Sequence, residues 1–384
     1  MHWRSRLIHP QRQAPAGFRS LVPAVERGST VVFESQAAMR DDWDAAKGYG
    51  YGLFGTPTVQ TLAARIAEIE GAAHTFITPG GQAAIVLALL GLCRAGSHVL
   101  LPESAYGPTR EIAMDLLAGL GIRTQAYDPL LGGDIAALLR DDTALVWTES
   151  PGSITMEVQD VSAIVRAAHA RNVPVVLDNT WSAGVLFDAF AHGVDVSLQA
   201  LTKYVGGHSD LLLGSVSVRD AALRERIGRA FKLLGMGVSP DEASLALRGL
   251  KTLGVRLERL ERSTLEVARW LAQQPQVETV LHPALSSCPG HATWARDFSG
   301  SSSVFSIVLH AGCDVADTQA FADRLELFDA GWSWGGANAL VTTYPALRRR
   351  ADGARLVRLN IGLEEPADLI ADLGRSLSML PAPA

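Results

Sequence analysis

The sequence predicts an α/β protein with a large, mostly parallel sheet covered by helices on both faces, followed by a smaller α/β region. Two observations predict it. From about residue 60, apolar strands of five to eight residues alternate with helical segments, the pattern of a sheet built from crossover units. After about residue 245 that alternation stops, and one long helical stretch leads into a second set of strands. The length of 384 residues agrees, because it exceeds a single ordinary core.

The elements follow in order. The first 54 or so residues lack a sustained period, and "QRQAPAG" and "KGYGYGLFGTPT" read as an extended arm that needs another surface to order it. "TLAARIAEIEG" is an amphipathic helix stopped at Gly71. "HTFIT" is a strand, "GQAAIVLALLGLC" a helix, "SHVLLP" a strand and "PTREIAMDLLAGLG" a helix ended by glycine. "TALVWTES" is a strand and "DVSAIVRAAHARN" a helix, followed by the strands "VPVVLDN", "VDVSLQAL" and "LLLGSVSV". "SLALRGLKTLGVRLERLERSTLEVARWLAQQP" is one long helical stretch with a kink expected near Gly254. "SSVFSIVLH" and "ARLVRLNIGL" are strands of the smaller sheet, and "PADLIADLGRSLSML" is the closing helix.

Composition narrows the function classes. A formal charge of −6 and no long single-sign run argue against a nucleic-acid surface. Arg348-Arg349-Arg350 is the densest basic spot and reads as a solvated loop. Cys93, Cys288 and Cys313 are too far apart in sequence to suggest a disulfide framework and suit a reducing compartment. The N-terminal stretch has no apolar core of a signal sequence, and no apolar run approaches the roughly 18 residues that span a bilayer. A cytoplasmic protein is expected. Cys288 and His291 make only half of a metal-like spacing, so no metal is expected, and no G-x-G-x-x-G opens the first βα unit for a nicotinamide cofactor.

Ligands of such sheets bind beyond the carboxyl ends of the strands, which directs the search. "HTFIT" leads into Pro79-Gly80-Gly81-Gln82 and a helix, a glycine turn whose backbone N–H groups and helix N-terminus suit an anion. "SHVLLP" leads to Tyr106, "VPVVLD" ends on Asp178, and "VDVSLQAL" runs into Thr202 and Lys203. Each has an ordinary explanation alone, whether turn, packing, cap or snorkelling lysine. Together they supply what holds pyridoxal phosphate. The glycine turn and Thr202 take the phosphate, Tyr106 stacks on the ring, Asp178 keeps the pyridine nitrogen protonated, and Lys203 condenses with the aldehyde. Burial near other cations favours the neutral lysine this requires.

"ESPGSITMEVQD" (149–160), "LDNTWSAGVLF" (177–187), "LTKYVGGHSD" (201–210), "LRGLKTLGVRL" (247–257), "SWGG" (333–336) and "LVRLNIGLE" (356–364) together resemble the PLP-dependent enzymes of Cys/Met metabolism. Within that family the chain is most similar to the cystathionine β-lyases, from about residue 20 to the end. The resemblance implies the PLP-dependent transferase-like architecture (aspartate aminotransferase fold type I). It also implies an arm over 1–54 reaching a neighbouring subunit, a PLP-binding domain over 55–248 and a C-terminal domain over 249–384. The implied assembly is a homotetramer, a dimer of dimers.

Carried over by residue, the resemblance makes Lys203 the cofactor-binding lysine and proton carrier, Asp178 the pyridinium partner and Tyr106 the stacked ring. Gly81, Gln82 and Thr202 take phosphate-contacting positions. Arg358 takes the substrate α-carboxylate, Trp334 and Ser333 fall in the substrate pocket, and Tyr51 is the arm tyrosine that enters the neighbour's site. The implied activity is β-cleavage of L-cystathionine to homocysteine, pyruvate and ammonia on the way to methionine. Alternatives are a broader cysteine-S-conjugate β-lyase, γ-lyase or γ-synthase chemistry, and a PLP-fold protein that mainly binds a partner. The chain departs from the family at Leu53, where the arm's Tyr-x-Arg pattern would place a phosphate-binding arginine. Ala200 is also apolar where some relatives carry a hydroxyl. Weaker phosphate retention is therefore expected, with Arg40 or Lys47 as substitutes for the missing guanidinium.

Overall fold

A computed structural model describes residues 2–8, 20–44, 47–345, 347 and 351–382, so Arg348-Arg349-Arg350 and the "QRQAPAG" stretch lie outside the described residues. The chain opens with α1 (Trp3–Ile8) and crosses residues 20–54 before α2 (Pro57–Glu70). That helix carries Pro57 in its first turn and ends at Gly71 in a left-handed conformation, φ 70°. Then follow β1 (His74–Thr78), α3 (Gly81–Leu92), β2 (His98–Pro102) and α4 (Gly107–Glu111), which continues as a π-helical turn over Ile112–Leu117. The remaining elements of this half are β3 (Arg123–Tyr127), β4 (Thr143–Glu149), α5 (Val161–His169), β5 (Val175–Asp178), β6 (Val196–Ala200), β7 (Gly214–Val218) and α6 (Ala221–Leu234).

The seven strands form one sheet in the order β1-β7-β6-β5-β4-β2-β3. Only β7 runs against its neighbours β1 and β6; the other pairings are parallel. Alternation along each strand divides the side chains between two faces. On β5, Val176 packs into the cluster under α3 and α6, while Val175 and Leu177 join the cluster under α5. The carboxyl ends of β1, β2, β4, β5 and β6 therefore meet along one edge, as the crossover topology requires.

Helix α7 (Pro240–Leu271) leads to β8 (Val277–Leu281), α8 (His291–Asp297), β9 (Val304–Leu309), α9 (Val315–Asp323), β10 (Asp329–Ala330), β11 (Leu340–Thr343), β12 (Leu356–Asn360) and α10 (Pro366–Leu377). The five strands form a second sheet, β10-β11-β12-β9-β8. α7 spans residue 248, where the sequence reading divides the chain, and places Leu250 and Leu257 in one core and Val267 and Leu271 in the other. It runs as one continuous helix past Gly254. A Cβ on Gly254 would lie 3.3 Å from Arg4 Cγ and 3.4 Å from the Trp3 ring, so glycine there makes room for α1.

Several elements were not anticipated: β3, α6, β8, α8, α9, β10 and β11. β3 is an edge strand on which only Tyr127 is buried, so it lacks the apolar run of the inner strands. No helix among the described residues is long and apolar enough to cross a membrane.

α7 also touches the loop after β6 at Gly249, where a Cβ would fall 2.1 Å from the Val205 carbonyl oxygen. Gly249→Ala is expected to lower stability by about 1–3 kcal/mol through overpacking. Urea unfolding of the two proteins measures it, and an unchanged midpoint would show that α7 and this loop are not in firm contact.

Candidate active site

The carboxyl edge of the large sheet opens into a cavity of about 290 Å³. Its walls include Gly80, Gly81, Gln82, Tyr106, Asp178, Thr202 and Lys203 from the large sheet, and Trp334 and Arg358 from the segments around the small one. The sequence reading thus placed residues from six separate segments that the fold brings to one cavity. Ser333 reaches the same cavity through its hydrogen bond to Lys203.

Lys203 lies in the turn after β6. Its Nζ donates to Ser333 Oγ at 2.8 Å and stands 5.5 Å from the Trp334 ring centroid. Burial, and then the nearby Arg358 charge, pull its ammonium down to about 8, while Asp178 opposes them. The turn is held from below by Arg256 on α7, whose guanidinium donates to the carbonyls of Tyr204 (2.7 Å) and Gly249 (2.9 Å). Arg256 is buried, and its own pKa is pulled down to about 10 by that burial.

Asp178 ends β5. Thr180 holds one carboxylate oxygen twice, from its backbone N–H at 3.1 Å and its hydroxyl at 2.6 Å. The same hydroxyl accepts from Ala200 N at 2.9 Å, which ties the end of β5 to the end of β6. Burial raises the Asp178 pKa, opposed by the Thr180 hydrogen bonds and then by the Lys203 charge. An ionised carboxylate in this position asks for a cation, and a protonated ring nitrogen is one. Thr180 was not singled out from sequence, although a hydroxyl two residues past a strand-end aspartate is a recognisable local hydrogen-bonding pattern.

Arg358, on β12, is 6% exposed and forms no ion pair with a carboxylate among the described residues. Its Nη2 donates to the carbonyl of Trp332 at 3.0 Å and to Thr342 Oγ1 at 3.2 Å, and its guanidinium carbon lies 5.7 Å from the Tyr344 ring centroid. A buried guanidinium without an anion is costly, and a carboxylate entering the cavity would relieve that cost.

Glycine is required at the anion turn. Gly80 adopts φ 146°, and a Cβ on Gly81 would fall 2.7 Å from Ala200 Cβ. The small side chain of Ala200, read from sequence as a missing hydroxyl, therefore lets the start of α3 approach β6. Thr202 lines the cavity while its hydroxyl donates to Leu213 O and accepts from Leu213 N. Tyr106 is 40% exposed; its backbone N–H is held by Glu149 Oε2 at 2.8 Å. Glu149 was missed from sequence, yet it is the last residue of β4 and the strand-end rule points to it. A glycine-lined helix start, a held carboxylate and a lysine with a lowered pKa fit pyridoxal phosphate.

Tyr51 lies away from this cavity, 48% exposed and bridged to Thr30. Leu53 turns into the core, where a Cβ on Gly237 would meet it at 2.8 Å. Of the two cations considered as substitutes, Lys47 is paired with Asp42 at 2.9 Å, and the Arg40 guanidinium packs against Gly48. Cys288 donates to the Met156 carbonyl, and His291 Nδ1 contacts the Pro283 carbonyl, so both side chains meet backbone rather than each other.

The fold and the cavity together define a fold type I, PLP-dependent enzyme. Comparison with known proteins agrees: residues 4–378 match the family described as Cys/Met metabolism PLP-dependent enzyme, and the chain belongs to that family. It is 43% identical to a putative cystathionine beta-lyase of Rhizobium johnstonii, over 93% of this chain and 91% of that protein. It is 40% identical to the cystathionine beta-lyase of Haemophilus influenzae over 95% of each. Among solved structures, apo CalE6, a methionine gamma lyase from Micromonospora echinospora, superposes with a TM-score of 0.88 at 33% identity, covering 98% of this chain and 99% of that one.

Two outcomes follow. Thr180→Val should weaken PLP binding about tenfold, since a hydrogen bond to a charged group contributes about 1.5–3 kcal/mol; equilibrium titration of the apoprotein reads it, and unchanged affinity would remove Thr180 from the site. The rate of covalent PLP uptake by the apoprotein should rise with pH through about 8, because the reactive amine is the deprotonated form of Lys203. A rise centred near the ordinary lysine value would show that the cavity does not perturb Lys203.

Proposed function

We propose that the protein is a carbon–sulfur β-lyase that cleaves L-cystathionine to homocysteine, pyruvate and ammonia. The observation that carries this reading is the buried, anion-free Arg358 beside Lys203, a receptor for the carboxylate of an α-amino acid within reach of the amine that moves its proton. The names of the curated relatives supply the β-cleavage and the substrate.

Bound PLP supplies an aldehyde for covalent capture of the substrate amine and a ring that accepts the electrons released at Cα. Arg358 takes the α-carboxylate and fixes which substrate bond faces Lys203. Lys203 Nζ, whose ammonium is weakened to about 8, removes the Cα proton as the general base once deprotonated. Asp178, oriented by Thr180, would favour a proton on the cofactor's ring nitrogen through its negative charge. Ser333 steadies the lysine, and Trp334 closes one wall. Gly81, Gln82 and Thr202 would hold the phosphate and Tyr106 would face the ring, since all four line the cavity.

The proposal extends to assembly and setting. The exposed apolar arm residues Leu21 and Val32 and the exposed Tyr51 support a homotetramer built from dimers, with Tyr51 serving a neighbour's site. Methionine biosynthesis in the cytoplasm is the corresponding cellular role. A second reading, a β-lyase of broader cysteine S-conjugates, is favoured by the apolar Ile154, Met156, Leu212 and Trp334 in the cavity lining. The likeness to a methionine gamma lyase keeps γ-cleavage as an outcome of the test.

Purified, PLP-loaded protein given L-cystathionine should release pyruvate and homocysteine; 2-oxobutyrate and cysteine would assign it to γ-cleavage instead. Lys203→Ala should abolish turnover, and normal turnover would refute the lysine's role. Arg358→Ala should raise KM at least tenfold, with an unchanged KM removing it from the carboxylate site.

A further inference from the structure

The loop between β4 and α5 contains two non-glycine residues in the left-handed region, Ile154 at φ 72° and Met156 at φ 61°. Both line the active-site cavity. For a β-branched residue this conformation is an outlier, because Cβ crowds the backbone on that side. Such strain persists only where the surroundings enforce it, and it clusters at ligand-contacting positions.

The surroundings here do enforce it. Gly152 N donates to Glu157 O at 2.9 Å, and Met156 N donates to Gly152 O at 3.1 Å, closing the loop on itself. Ser153 N donates to Ser104 O at 2.9 Å. The Ile154 carbonyl accepts from Ser306 Oγ of β9 at 2.5 Å, which anchors the loop to the small sheet. Neither left-handed residue is needed to close the turn as such, since glycine or asparagine would adopt it without strain. What isoleucine adds is its side chain. That side chain packs against the buried cluster of Met156, Trp181 and Leu186, against which Trp334 and Tyr344 also pack, the two aromatic residues that flank Lys203 and Arg358 respectively.

We propose that Ile154 is a specificity-determining wall of the cavity: its strained backbone holds a branched side chain in the lining it shares with Trp334, where it limits the size of the group that the substrate carries beyond its α-carbon. This rests on the lyase reading for the identity of that group, the sulfur substituent of an L-cysteine conjugate. The wall itself depends only on the cavity accepting an α-amino acid.

The test uses the full-length, PLP-loaded protein with Ile154→Gly and Ile154→Ala. Each is given S-methyl-, S-propyl- and S-benzyl-L-cysteine, and keto acid release is followed. Both variants should raise kcat/KM for the S-benzyl substrate relative to the S-methyl one by about tenfold or more, the scale on which apolar pockets discriminate. Ile154→Gly should also melt at a higher temperature than Ile154→Ala, because only glycine is free of the left-handed penalty. A merely structural role would lower all substrates together. An unchanged substrate ratio, or a glycine variant less stable than the alanine one, overturns the proposal. If the wild type releases keto acid from none of these, the broader S-conjugate reading fails separately, while the cystathionine test above still decides the lyase. The wall is then decided by binding: dissociation constants for glycine, L-alanine and L-phenylalanine, read from the visible absorbance of the cofactor, should shift towards the larger amino acid in both variants, and constants that keep their wild-type order and spacing overturn it.

Discussion

The architecture answers to one electrostatic constraint: two cationic side chains, Lys203 and Arg358, face one cavity. Burial disfavours both charges, and the Arg358 charge further disfavours that of Lys203. The molecule accommodates them unequally. Lys203 shares the cavity with the Asp178 carboxylate and can shed its proton. Arg358 is held by carbonyls and a threonine hydroxyl, which solvate a cation without neutralising it. One amine is left ready to react, and one guanidinium is left ready for an anion.

That arrangement needs parts from both sheets to stay in register, and a buried polar chain keeps them there. The Tyr204 hydroxyl, one residue past Lys203, shares a hydrogen bond with Ser303 Oγ at 2.9 Å. Ser303 Oγ donates to Asn360 Oδ1, two residues past Arg358, and the same oxygen accepts from Gly335 N, next to Trp334. Lysine, guanidinium and aromatic wall are thus each within two residues of one network. Inside the protein such a network is strong when every member is satisfied and expensive to break. Arg256 adds the corresponding hold from α7.

The strand-end rule read the large sheet well. Lys203, Asp178, Thr202, Tyr106 and the Gly81 turn were accessible because local apolar runs mark where each inner strand stops. Arg358 and Trp334 came through family resemblance, since nothing in the spacing of "LVRLNIGL" or "SWGG" sets them facing Lys203. The contacts that aim these groups were invisible. Tyr204 and Ser303 are 99 residues apart, and no local period announces such a pairing. Ile154 was hidden for the opposite reason: its residue type argues against the backbone conformation it adopts. The edge strand β3 escaped because solvent on one side removes the apolar signal.

The N-terminal arm makes several contacts with its own chain. Gly52 N donates to Ser29 O at 2.7 Å, Glu26 N donates to Thr58 Oγ1 at 2.8 Å, and Trp43 is buried against Phe76 and Gly228. Leu53, packed partly buried against the core beside Gly237, adds an apolar anchor. Glu26, Trp43 and Gly52 thus tie the segment to the rest of the chain, and a surface docking against the exposed Leu21 or Val32 would meet a segment already anchored at these points. Association at this face would then resemble the closing of two shaped halves more than folding upon binding, with a correspondingly smaller entropic penalty.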